Sequence, residues 1–244
     1  MLIEKQEQKV EDPEITSMRT PASQQLRLAT EAVHLRLHKE PHLVKLLSPD
    51  VRLSDVYTCL LGFSCFYTLL DDICRESGSD SYSELKPYLH HHRAWLAKDT
   101  TLFHTAIDER IQRIVTSYEN TPQQLSKSSI DPLGVLYVTE GSLLGGEIIA
   151  RCLTKNLRPT GTEKGEFFGG AIGTELSLAH FTGHGKALNE QQFSELKVRI
   201  DRHGSTDTHL LAMQRTAIGT FTLLENIFKQ LDTLLYGVKS NSAS

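Results

Sequence analysis

Two stretches of this sequence carry residue types that a plain helical core does not need. The first runs from Leu26 to His38, where Leu26, Ala29, Thr30, Val33 and Leu37 recur at helical spacing and His34 extends the stripe. An imidazole placed there points inward or to the border of the buried face. It can serve as a hydrogen-bonded core histidine, or stay neutral and offer a nitrogen lone pair to a metal. His38 and His42 follow at i+4 and i+8, so a histidine stripe exists. A protein-held metal would still want a third ligand such as a carboxylate or thiolate, and spacing nominates none. The second stretch is Tyr137 to Glu147, which contains Gly141, Gly145 and Gly146. Each glycine inside a helix gives up about 1 kcal/mol relative to alanine, so three forgo roughly 2–3 kcal/mol. Gly141 and Gly145 share a face, and without side chains the backbone becomes the contact surface. Either a flat ligand or a second helix can use such a surface. The kink that clustered glycines favour tilts the balance toward a ligand.

Other candidate chemistries are weaker. His90, His91 and His92 sit beside Arg93 and read as a solvated surface run. Glu31-Ala-Val-His34 has the Glu-x-x-His spacing of a di-iron bundle site, but a second such pair and two further glutamates on apolar faces are not evident. Cys59, Cys65, Cys74 and Cys152 form no C-x-x-C pair, and three of them lie in one apolar stretch, where free cysteine acts as a small hydrophobe. No G-x-G-x-x-G follows a strand pattern, so the chain brings no flavin or nicotinamide fingerprint.

The elements that must position these residues read as helices. The periodic pattern covers 23–38 and resumes past Pro41 through Leu43, Leu46 and Leu47. Ser54 is a candidate cap for a helix running to about Arg75, with Gly78 as a stop. Ser81 and Glu84 form a capping box for a further short helix. Residues 101–118 carry another apolar stripe. Asp131-Pro132 has the cap and first-turn proline of a helix reaching about Lys155. Asn189 with Gln192 marks another start, and 206–236 reads as a long final helix. Alternating strand patterns are absent, so the class is all-α, with about seven or eight helices.

The 244 residues suit one large domain over 21–236, preceded by a charged flexible arm at 1–20 and followed by a flexible tail at 237–244. Apolar residues at 39% and charged residues at 23% are those of a globular protein. The net charge of -4 argues against a nucleic-acid partner. The polar N-terminus has no apolar signal segment, and no run of about 18 apolar residues suggests a membrane span, which points to a cytoplasmic protein.

Taken together, the two stretches resemble the heme oxygenase family. Ala29-Thr30-x-x-Val33-His34 and, about a hundred residues later, Glu140-Gly141-Ser142-x-Leu144-Gly145-Gly146 are similar to its paired motifs. The wording Leu136 to Gly146 is most similar to the bacterial branch associated with bacteriophytochromes. Arg93 to Asp99, Phe167-Phe168 and Ala217 to Glu225 also resemble that branch, and the likeness spans about residues 22 to 236. The resemblance implies a single-domain helical bundle with haem held between a proximal helix and a kinked distal helix. It implies that His34 is the proximal ligand of the haem iron and that Gly141, Ser142, Gly145 and Gly146 form the distal segment. Arg27, two turns before His34, is then placed near a haem propionate. The implied reaction opens haem, as both substrate and cofactor, to biliverdin with release of carbon monoxide and ferrous iron. Electrons come from an external ferredoxin or reductase, and a link to a bacteriophytochrome is implied. The alternative is a protein of the same fold that stores or senses haem without turnover. Two positions depart from the animal-type pattern: Ser142 stands where an acid follows the first distal glycine, and His38 stands where a glutamate partners the ligand histidine.

Overall fold

The computed structural model describes residues 20–101, 130–157 and 177–236. Among them are eight helices and no strand: α1 (Ala22–Leu37), α2 (Pro41–Leu46), α3 (Leu53–Glu76), α4 (Ser79–Thr100), α5 (Pro132–Asn156), α6 (Ala179–Thr182), α7 (Lys186–His203) and α8 (Asp207–Tyr236). This is the all-α bundle that the periodicity predicts. The arm at 1–19, the tail at 237–244, the stripe at 102–118 and Phe167-Phe168 lie outside the described residues.

Local chemistry sets most helix ends. Asp131 caps α5 as expected, its carboxylate accepting the Leu133 and Gly134 amides, with Pro132 in the first turn. Three expected starts are corrected. At α3 the cap interaction comes from Asp55, which accepts the Arg52 N–H at 2.8 Å, one turn into the helix; Ser54 lies inside. Ser81 likewise lies inside α4, which begins directly after Gly78 (φ 134°). That helix is long because a buried stripe of Leu85, Leu89, His92, Leu96 and Asp99 carries it past Pro87. Asn189 lies within α7, where its side chain accepts the His184 amide and donates to the Thr182 carbonyl, closing the α6–α7 turn.

Helices α3, α5 and α8 supply much of the core, including Leu60, Leu61, Phe66, Leu70, Leu136, Ala217 and Phe228. Cys59, Cys65 and Cys74 are free and buried there, and burial raises their thiols, to about 12 for the latter two. Helices α3 and α5 are long and apolar enough to cross a membrane, but 61% and 56% of those stretches are buried inside the fold, as in core helices.

Three long-range bonds fix the register. The Ser23 amide donates to Asp201 at 2.7 Å, His203 hydrogen-bonds Asp131 at 3.2 Å, and the Asp131 amide donates to Thr216 at 3.1 Å. The first turns of α1 and α5 and an early turn of α8 therefore meet at the C-terminal end of α7. From that end the three helices run in the same direction. Gly134 permits the close approach of α5 to α8, since a Cβ there would stand 2.6 Å from the Met213 carbonyl oxygen.

At the far side of the core, Asp99 on α4 accepts the Ala179 and His180 amides at 2.9 and 2.8 Å and so caps α6. Burial holds the Asp99 carboxyl above its ordinary range. His180 packs among Phe63, Tyr67 and Phe181, and burial, then His92, pushes its imidazole well below its ordinary value. The folded chain keeps His180 neutral, while the unfolded chain protonates it below about pH 6.5. Stability should therefore fall as pH drops through that value, by up to about 1.4 kcal/mol per pH unit from this group. Chemical unfolding between pH 7 and 5 should show a shallower pH slope for His180→Phe; equal slopes would contradict the burial of a neutral ring.

Candidate functional site

His34 lies one turn beyond Thr30 on α1, and Gly141 lies one turn beyond Tyr137 on α5. The Tyr137 phenol lies beside Thr30 and Arg27, so the two helices approach each other at that level. Because α1 and α5 leave the same end of the bundle in parallel, His34 and Gly141 fall at the same height just past the contact. Helix α8 backs both, with Phe221 edge-on to the His34 ring at 5.4 Å. The space bordered by α1, α5 and α8 beyond Thr30 and Tyr137 is therefore the candidate cleft.

The α5 wall is bare and apolar. Gly141 faces the Phe193 ring, 3.1 Å from where a Cβ would sit, whereas a Cβ on Gly145 would meet nothing within 4 Å. On the same face Leu144 and Ile148 are 38% and 52% exposed although α5 is otherwise a core helix. Apolar side chains left uncovered beside open backbone mark a surface that expects an apolar partner. Gly146 has a different task. A Cβ there would stand 2.3 Å from the Phe181 carbonyl oxygen, so this glycine seats α6 against α5. The two readings of the glycine cluster thus divide: helix packing at Gly134 and Gly146, an open face at Gly145.

On the opposite wall His34 remains exposed, with its ring against Phe221 and 4.1 Å from the His38 ring. Desolvation, then His38, lowers its pKa, which favours the neutral ring whose lone pair can bind a metal. Helix α1 is tied down beside it. Arg36 donates from Nε to Glu225 Oε1 at 3.0 Å and from Nη2 to Oε2 at 3.1 Å, and Lys229 pairs with the same buried carboxylate. The two cations hold the Glu225 carboxyl below its ordinary value. Arg27 is exposed and lies near Tyr137, on the side of α1 turned toward α5. Glu31 is exposed, and among the described residues no group of three or more metal-ligating side chains assembles.

Ser142 is exposed at the border of the open face, and its hydroxyl donates to the Thr139 carbonyl at 2.6 Å. Behind it lies a polar cluster that the sequence reading missed. His92, read as surface, is 1% exposed; its Nε2 hydrogen-bonds Glu140 Oε1 at 3.1 Å and its ring stacks on Tyr67 at 4.5 Å. The placement of His92 three residues after Leu89 and four before Leu96 carried the signal. Tyr137, Phe193, Phe221 and the Arg36–Glu225 tie were also missed, since each depends on a residue distant in sequence.

The family model described as heme oxygenase matches residues 20–230. A solved heme oxygenase from Leptospira interrogans shares the fold, with a TM-score of 0.56 and 16% identity over 86% of this chain and 100% of that one. No curated protein matches the chain.

The division of the glycines is measurable. Gly146→Ala should destabilise the fold by about 1–3 kcal/mol through overpacking against α6. Gly145→Ala, with open space above it, should be neutral or stabilise by up to about 1 kcal/mol from helix propensity. Urea unfolding of the two variants checks this, and a reversed order would contradict the placement of the open face.

Proposed function

The chain belongs to the heme oxygenase family, and we propose that it binds haem in the cleft between His34 and the bare face of α5 and opens it oxidatively. The observation that carries this reading is the pairing, at one height of the bundle, of an accessible imidazole biased toward neutrality with an uncovered apolar helix face. The residues present fit a flat iron porphyrin: His34 is the nitrogen donor, and Gly141, Leu144, Gly145 and Ile148 offer a side-chain-poor plate on which a planar ring can lie. Arg27, beside the Tyr137 phenol, supplies a cation for a propionate.

When bound, haem supplies both the iron that activates dioxygen and the macrocycle that is cleaved, giving biliverdin, carbon monoxide and ferrous iron. The chain's own residues bind, orient and exclude. His34 would hold the ring from the α1 side, and Gly145 would let the α5 backbone approach its other face. Ser142 adds a small polar group at the rim. Electrons enter from an external ferredoxin or reductase, because the sequence carries no flavin or nicotinamide fingerprint. The replacement of an acid by Ser142 favours a second reading, a haem carrier or sensor. A haem complex that, reduced in air, keeps its Soret band and forms no verdin supports that one.

Haem titration of the wild type and of His34→Ala tests the ligand. The variant should show an altered Soret band, at least tenfold weaker binding and no verdin; an unchanged spectrum and turnover would remove the assignment. Gly145→Leu tests the plate. It should fold normally, since the position is open, and bind haem at least tenfold more weakly; wild-type affinity would place the porphyrin elsewhere.

A further inference from the structure

The haem-cleft reading leaves one cavity without a task. It lies between α5 and α6, has a volume of about 440 Å³, and is walled by Ala150, Arg151, Thr154, Lys155, Leu178 and Thr182. Small-molecule sites take this form, a concave space of about 300–1,000 Å³ with apolar walls and a few charged groups. Which ligand chemistry it suits follows from counting donors. The Thr154 hydroxyl donates to the Ala150 carbonyl at 2.8 Å, and the Thr182 hydroxyl donates to the Leu178 carbonyl at 3.1 Å. A hydroxyl has one proton, so both are spent on the chain's own carbonyls. Arg151 and Lys155 are then the free donors. Arg151 spends only its Nε, which bonds the Glu147 carbonyl at 3.3 Å, and neither cation pairs with a carboxylate among the described residues. The rest of the guanidinium fork is open to a carboxylate. Two cations one turn apart, beside Ala150 and Leu178, specify a carboxylate carried on an apolar body.

The placement of these cations ties the cavity to the haem plate. Leu144, Ile148, Arg151 and Lys155 recur at i, i+4, i+7 and i+11, so they form one stripe along α5. At a rise of 1.5 Å per residue, Arg151 stands about 4.5 Å and Lys155 about 10.5 Å beyond Ile148 along the axis. Haem has a bond to His34 to keep it on the plate. The opened product has released its iron and lost that bond. It keeps both propionates, because the cleavage is in the macrocycle. Its carboxylates are the strongest contacts left to it.

We infer that the α5–α6 cavity is a product site, in which Arg151 and Lys155 take a carboxylate of the linear tetrapyrrole once it is free of iron. The inference rests on the haem-cleft reading and deepens it. Haem is held across the plate by His34, and its product is held further along the same helix by the two cations. Transfer from one to the other clears the plate for the next haem.

Equilibrium titrations with biliverdin, biliverdin dimethyl ester and ferric haem test this on the wild type, Arg151→Gln, Lys155→Gln, the double variant and Glu147→Gln. Arg151 and Lys155 are exposed, so their variants should fold normally. Biliverdin should bind each cation variant at least fivefold more weakly, about 1 kcal/mol, and the double variant at least twentyfold more weakly. Glu147 also borders the cavity, so Glu147→Gln removes an opposing charge and should tighten biliverdin at least twofold. The dimethyl ester, which lacks the carboxylates, and ferric haem should each stay within threefold of the wild type throughout. Unchanged biliverdin affinity in the double variant would overturn the inference, even if electron delivery slowed, since the cations would then belong to a docking surface for an acidic donor. Equal weakening of haem and biliverdin would overturn it by making the cavity a propionate site of bound haem. Equal weakening of the ester and the free acid would do so by removing the carboxylate contact. A wild type that binds haem but not biliverdin would also contradict it. Failure of the wild type to bind haem at all would instead sink the cleft reading itself.

Discussion

A helix with a bare backbone can be packed against or left open, and α5 does both along one length. At Gly134 and Gly146 neighbouring backbone occupies the space where a Cβ would sit, from α8 and α6 respectively. Those two close approaches hold the helix in its first turn and past its middle. Beside the second, Gly145 meets nothing, and Leu144 and Ile148 stand partly uncovered. The helix propensity forgone at these glycines is offset where the backbone packs, and is spent on an open face where it does not. The proposed haem plate depends on these two approaches, which hold the open face in place.

The other wall has a complementary constraint. Helix α1 packs chiefly against α8, which supports it. Val33 and Leu37 pack inward, and the bidentate Arg36–Glu225 pair fixes the helix beside His34. Such a tie matters more for direction than for stability, since Arg36 is largely exposed. It limits rotation of α1 about its axis and so limits where the imidazole points. Proximal and open walls are thus both referred to α8, which gives the cleft one frame of reference.

Much of this was legible in the sequence, for physical reasons that can be named. The apolar period placed α1, α3, α5 and α8 within a residue or two, and Asp131-Pro132 announced the α5 start, because cap chemistry is local. The position of His34 at the border of a buried stripe was also local information. What the sequence concealed depends on contacts between distant segments. Gly145 and Gly146 are neighbours in the chain, and only the seat of α6 against α5 separates their tasks. The start of α4 at Ser79 went unseen because Gly78, and not a capping side chain, ends the preceding turn. The histidine run at 90–92 looked solvated as a block, yet helical rotation buries His92 and sends it to Glu140, 48 residues away. The family resemblance and the family match agree on what the chain is, and the cleft geometry supplies a physical reason for the two motifs that carried it.

The central claim is that an iron porphyrin lies between His34 and the open face of α5. The most direct measurement is paramagnetic NMR of the labelled chain loaded with ferric haem. The account predicts that hyperfine-shifted or broadened signals fall on the His34 ring, on the α5 backbone from 141 to 148 and on Phe221, while residues near Arg151 and Lys155 stay sharp. Broadening centred on any other part of the fold, with His34 and Gly145 unperturbed, would contradict it.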